Sequence, residues 1–350
     1  MQMNRRDILK STAGIGAAAM MGLTPRGASA QGEVPSWLDK LYKTAIANNE
    51  KTVVYYPTSP GQERIIEKFH QLFPEVQVQY KYTIASELTA IVDAEFASGN
   101  RTIDVLQGGP TLQLGLRASD RQGKFEVPAD SGIPSSAIFF DGHMFSNGRL
   151  LYALGYNTAR VKPEEIPDDL SELLEGEWRS RVAMQKPVGA GGGDNAMTTL
   201  RVAGFLPDEM IQKLVGLPTE NGQVALCTAV AQGKYDAALW TSSTSVLAVA
   251  SKGAPIKQHV LPKYSALQND VISLLRDPPH PHAANLFLGY LLSEVGQEEA
   301  GTFGLYSIYD SMPAPESFPD ISGIQVPMIE YETYFDQSKA MREITIKYWP

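Results

Sequence analysis

Four short stretches of this chain carry groups suited to holding a ligand: Thr58-Ser59, Gln107-Gly108-Gly109, Gly192-Gly193-Asp194-Asn195 and Thr241-Ser242-Ser243. Their hydroxyls, amides and glycine backbone N–H groups donate neutral hydrogen bonds. The run Thr241 to Ser245 stands between an apolar strand pattern, Tyr235 to Trp240, and an apolar helical one, Val246 to Ala250. A helix starting there leaves its first N–H groups without intrahelical partners, and its positive end favours an anion. The glycine run ending at Asn195 occupies a similar junction. It has neither the Gly-Lys-Ser/Thr of a phosphate loop nor the glycine spacing of a dinucleotide fingerprint. Cys227, the only cysteine, lies in an apolar helix pattern, and the five histidines are scattered. His280 and His282 flank Pro281 at a helix start, which suits surface punctuation. With no nucleophile–base or metal-ligand constellation, the chain reads as a binder and not an enzyme, with no cofactor and no metal.

The elements that position these groups follow from apolar periodicity. A helix over Trp37 to Asn49 precedes a strand, Lys51 to Tyr56, that empties into Thr58-Ser59. A helix from Glu63, a strand Val76 to Tyr80 and a helix Glu87 to Ala97 lead to the strand Ile103 to Leu106, which empties into Gln107-Gly108-Gly109. This βαβαβ order predicts a doubly wound lobe whose ligands gather at the carboxyl ends of its strands. Leu150 to Asn157 reads as a strand passing to a second lobe, and Asn269 to Leu275 as a strand returning from it. Between them the pattern repeats: the strand Arg181 to Met184 meets the glycine run, and Tyr235 to Trp240 meets the hydroxyl run. The tail reads as further short helices.

The N-terminus has the parts of an export signal: Arg5-Arg6-Asp7-Ile8-Leu9-Lys10, a small apolar run to Leu23, and Ala28-Ser29-Ala30. The paired arginines resemble the twin-arginine signal, which places cleavage after residue 30 and the working protein in the periplasm. The full chain has 350 residues and a formal charge of −9, and losing that basic segment makes it more acidic still. Such acidity disfavours nucleic acid and anionic membrane surfaces. A small anionic ligand is not disfavoured, because local dipoles set a site. No heptad or large apolar stripe asks for a dimer, so a monomer is expected.

In their order the motifs resemble the type II periplasmic solute-binding proteins of ABC transporters, in the branch that contains the ferric-iron-binding proteins. The residues carrying the likeness include Gly155-Tyr156-Asn157-Thr158, Glu177-Trp178, Val230 to Leu239, Lys252-Gly253-Ala254-Pro255 and Pro281 to Phe287. The resemblance implies an α/β fold of two doubly wound lobes joined by crossing strands. Lobe 1 would comprise residues 31–152 with 265–350, lobe 2 residues 153–264, and the ligand cleft would lie between them. It also implies capture of one solute by hinge closure and delivery to a permease in the inner membrane. Ferric binders of the family hold iron with adjacent tyrosines, helped by a histidine or an acid. The corresponding positions here are Ser243-Thr244, Thr58-Ser59 and Gly108-Gly109. Hydroxyls and glycines in place of anionic oxygen ligands predict a small polar organic anion, carboxylate or phosphoester, with ferric iron or an iron chelate as the alternative.

Overall fold

The computed structural model describes residues 34–59, 61–187, 192–322, 326–328 and 331–349. The export signal and residues 188–191 of the glycine run lie outside that set. The chain begins α1 (Ser36–Ala47), β1 (Thr52–Pro57), α2 (Glu63–Leu72), β2 (Gln77–Tyr80), α3 (Ala85–Ser98), β3 (Val105–Gly108) and α4 (Pro110–Ala118). β4 (Ile138–Phe139) and the long β5 (Met144–Asn157) follow. Next come α5 (Leu170–Leu173), α6 (Trp178–Arg181), β6 (Val182–Gln185), α7 (Gly192–Val202), α8 (Asp208–Leu214), β7 (Thr219–Glu220) and α9 (Gln223–Ala231). β8 (Ala237–Ser242), α10 (Ser243–Ala250), β9 (Ile256–His259), β10 (Ala266–Leu274), α11 (Pro281–Leu292), α12 (Glu294–Ala300) and α13 (Tyr331–Tyr348) complete it.

The strands join one ten-stranded sheet, eight of them in the order β2-β1-β3-β10-β5-β8-β6-β7, with β4 and β9 each pairing with β5 off that path. β1, β2 and β3 pair in parallel, as do β6, β7 and β8, so each end of the sheet is a parallel unit covered by helices. The antiparallel pair β5–β10 joins the two units, running from Phe145↔Ile272 to Tyr152↔Ala266. Gly108 on β3 lies level with Val271, and Ser242 on β8 lies level with Tyr152. The carboxyl ends of β3 and β8 therefore face one another along the joining pair.

Each unit has its own core. In the first, Phe69 of the amphipathic α2 meets Phe287 of α11 edge to face at 5.1 Å, with Tyr55, Phe73 and Tyr290 around them. α11 is buried almost throughout because its apolar residues do not keep to one stripe. The second core gathers Leu170, Val182, Met184, Met197, Leu239 and Trp240.

One expectation needs correcting. The tail forms one 18-residue helix, α13, instead of several short ones. α13 runs from one core to the other. It starts with Tyr331 beside Phe139 and Val271 and ends with Met341 and Trp349 inside the second core. Its apolar residues are thinly spaced, so their target is not visible in the helix itself.

Candidate functional site

Thr58 and Ser59 stand directly after β1. They line a cavity of about 490 Å³ with Gly61 before α2, with Thr244 and Ser245 of α10 and with Ser251 just after it. The two parallel units thus face each other across this space. Val224 of α9 and Thr302-Phe303 close it, and none of the described residues lining it is charged. Leu247 and Thr302 also line an adjoining groove of about 640 Å³.

The hydroxyl run divides at this point. Thr241 and Ser242 belong to β8, which runs past Trp240 because that residue sits in the left-handed region, φ 54, opposite a register shift between Ala153 and Gly155. Such a backbone is costly for a bulky residue and persists only where the surroundings fix it. Here burial of the indole and its N–H donation to the Tyr264 carbonyl at 2.9 Å do so. Thr241 donates to the Ala153 carbonyl, and its side chain fills the space above Gly155, where a Cβ would come within 2.7 Å. Ser242 caps α10 by accepting from the Ser245 N–H. The Ser243 hydroxyl donates to the Gly304 carbonyl at 2.6 Å and accepts from the Leu151 N–H at 3.2 Å. Those three hydroxyls are bonded within the protein, while Thr244 and Ser245, whose hydroxyls also meet Ser242 Oγ, line the cavity. Alternation and capping, which decide this division, are not legible from the run of hydroxyls itself.

The glycine run is likewise bonded inward where it is described. Gln185 at the end of β6 accepts from the Gly193 N–H and from the Gln223 amide, while the Gln223 oxygen accepts from the Ser242 N–H at 2.8 Å. Asn195 accepts from the Tyr334 hydroxyl at 2.6 Å, and Tyr152 also lies against it. Thr111, in the first turn of α4, meets the same Tyr334 hydroxyl. Tyr334 therefore bridges the N-terminal turns of α4 and α7, one from each unit. Asp194 is buried with its Oδ1 unpartnered; burial pushes its pKa up to about 7, with Arg342 opposing weakly.

Gln107 and Gly108 lie within β3, and Gly109 precedes α4. A Cβ on Gly108 would come within 2.7 Å of Leu112 and 3.1 Å of Thr58, so glycine lets α4 and the segment after β1 approach β3 closely. The buried Gln107 amide donates to Asp270, which the sequence reading passed over. Its only local signal is a polar pair, Asn269-Asp270, inside an otherwise apolar strand. Among the described residues no group of three or more His, Cys, Asp or Glu is placed to hold a metal ion. Nor is any described helix long and apolar enough to cross a membrane.

Residues 151–305 match the family model of the bacterial extracellular solute-binding proteins. Among curated proteins none matches the chain. Iron-bound HitA from Pseudomonas aeruginosa superposes with a TM-score of 0.71 at 18% identity, over 84% of this chain and 99% of HitA. The periplasmic binding protein AfuA from Actinobacillus pleuropneumoniae, with fructose-6-phosphate bound, gives 0.70 at 17% identity over 85% and 98%. The Trichodesmium protein IdiA (FutA), in complex with iron and citrate, gives 0.68 at 13% identity over 85% and 99%. Residues 151–305 thus carry the sequence pattern of bacterial extracellular solute-binding proteins, and the chain as a whole has the type II periplasmic-binding fold.

Proposed function

We propose that this protein is the periplasmic solute-binding component of an ABC importer. Its residues 1–30 are an export signal of the twin-arginine type. The two lobes are residues 31–152 with 265–350, and residues 153–264, with the C-terminal helix of the first packing against the second. They close on a small polar organic anion, a carboxylate or phosphoester, and the monomer hands it to an inner-membrane permease. The observation that carries this reading is the uncharged, hydroxyl-lined cavity between Thr58-Ser59 and Thr244-Ser245. Its donors lie at the start of α10, where unpaired N–H groups and the helix dipole complement a negative group without a basic side chain. The fructose-6-phosphate bound to AfuA supports a phosphoester. The iron of HitA and the iron and citrate of IdiA support the second reading, an iron chelate.

Mass spectrometry of the protein as purified, first native and then denatured, tests this with metal analysis on the same sample. The expected outcome is release of a stoichiometric organic anion without iron. Stoichiometric iron turns the site over to the second reading. Turnover of a bound anion by the pure protein removes the binding-protein reading.

A further inference from the structure

The cavity between Thr58-Ser59 and α10 follows one face of that helix. Thr244, Leu247, Ala248 and Ser251 recur at helical spacing, so they lie on that face and cover about 10 Å of the axis. Hydroxyls mark both ends of the face, and Leu247 and Ala248 stand between them. Val224 of α9 and Phe303 add to this apolar middle, and apolar atoms make up most of the cavity wall. α10 is wholly apolar from Val246 to Ala250, and α9 is apolar from Val224 to Ala231 apart from Thr228. Helices without a polar face are normally covered all round. Here the inner faces fill a core of Leu226, Cys227, Val230, Val246 and Val249, while Val224 remains 53% exposed. Among the described residues, Val224 and Leu247 pack into none of the apolar cores. One exposed valine needs no explanation, but apolar side chains from two helices converging on one cavity do.

We propose that the solute is an amphipathic anion: its carboxylate or phosphate sits at the start of α10, and a hydrocarbon body lies along Leu247 and Ala248 between Val224 and Phe303. This rests on the anion-binding reading above and narrows its solute class. The helix dipole sets the direction, since it favours negative charge at the Thr244 end and opposes it at the Ser251 end. A small molecule is the occupant because Thr58, Ser59 and Gly61 wall the cavity opposite α10, and about 490 Å³ is the size of a small-molecule pocket. A solute hydroxylated along its whole length is disfavoured, because hydroxyls laid against Leu247, Val224 and Phe303 would lose water and find no partner there. A longer body has somewhere to go: past Leu247 and Thr302 the wall continues into the adjoining groove, with Leu305, Met312 and Pro313.

The test is calorimetric titration of the protein, freed of bound solute by unfolding and refolding, with acetate, butyrate and hexanoate and with methyl, butyl and hexyl phosphate. Gluconate and glucose 6-phosphate are the hydroxylated counterparts of the hexyl members, and hexanol probes the apolar wall without an anion. In at least one series affinity is expected to rise about threefold per added methylene, as burial of each CH2 in a partly open site predicts. The hexyl member of that series should bind at least about tenfold tighter than its hydroxylated counterpart. Val224→Ser and Leu247→Ser should each cut the gain from the shortest to the longest member about fivefold and leave the shortest unchanged. Val224 is exposed, so its variant keeps the test open if Leu247→Ser fails to fold. Anion binding that is flat along both series, or tightest for the hydroxylated counterparts, overturns the hydrocarbon body and leaves the anion-binding reading standing. So does a chain-length gain that neither variant changes. Hexanol binding as tightly as the hexyl anions removes the anion-binding reading and with it the charged head of this solute. Binding of none of these compounds removes both.

Discussion

Two pairs of chain ends meet where the halves of this molecule face each other, and they are treated in opposite ways. On one side, Thr58-Ser59 and the start of α10 leave an open cavity between them. On the other, the first turns of α4 and α7 are closed by a tyrosine from α13 that touches both. All four are strand-to-helix junctions rich in small polar residues, with the same supply of unpaired N–H groups. What separates them is whether distant chain returns to satisfy those groups. A helix N-terminus is therefore an offer of donors, and the tertiary fold decides whether protein or solute accepts it.

The largest test of this contrast lies on the closed side. A carboxyl whose folded-state pKa is raised above its unfolded value holds its proton more tightly when folded. For Asp194, pushed up to about 7, the associated stability is complete below about pH 4 and is lost as pH rises toward 7. Asp194→Asn removes that dependence, so at pH 8 the variant should be more stable than the parent by up to on the order of 4 kcal/mol, with no difference near pH 4. Urea unfolding at the two pH values measures it, and equal gaps at both would show that Asp194 is not held protonated.

Next in size is Gly304, at φ +91, whose added Cβ would stand 3.1 Å from the Ser243 carbonyl group. Gly304→Ala should cost about 2 kcal/mol, because the strain falls on the joint that positions α10. A melting temperature unchanged from the parent would mean this joint yields. Tyr334→Phe keeps the ring but leaves Asn195 Oδ1 without its donor, for a loss of about 1 kcal/mol. Small-angle scattering of this variant should show a more open average shape, and an unaltered profile would deny that the tyrosine holds the halves together. The smallest effect on stability belongs to the open side. Thr244→Val should change it by under about 0.5 kcal/mol while weakening capture of the copurified anion at least about fivefold, read by calorimetry. Undiminished binding would move the anion away from α10.

Much of this architecture was legible because it rests on local periodicity. The alternation in Val76 to Tyr80 and the apolar face of α2 led to the parallel units, and the apolar run ending at Asn157 led to a crossing strand. The division within the site was not legible. Thr241 and Ser243 look as available as Thr244, yet strand direction turns one into Ala153 and Gly304 claims the other. Asp270 and Tyr334 were invisible because their importance is set by partners far along the chain, Gln107 and Asn195. Spacing reports which groups share a helix face, and only tertiary pairing reports which of them remain unspent.

The course of α13 also dictates when the molecule can be finished. Trp349 and Met341 complete a core whose other members begin at Tyr152, so that core lacks two of its side chains until residues much further along the chain are available. Contacts of such sequence separation must meet the cost of closing a long loop before they contribute, which slows folding. The first unit has its parallel strands β1 to β3 early, but β10 and α11 reach it only from the far end of the chain. Neither half is self-sufficient during synthesis. A chain in which Met341 and Trp349 fail to dock would present a complete sheet with an unsealed second core, a form for proteolytic quality control to recognise.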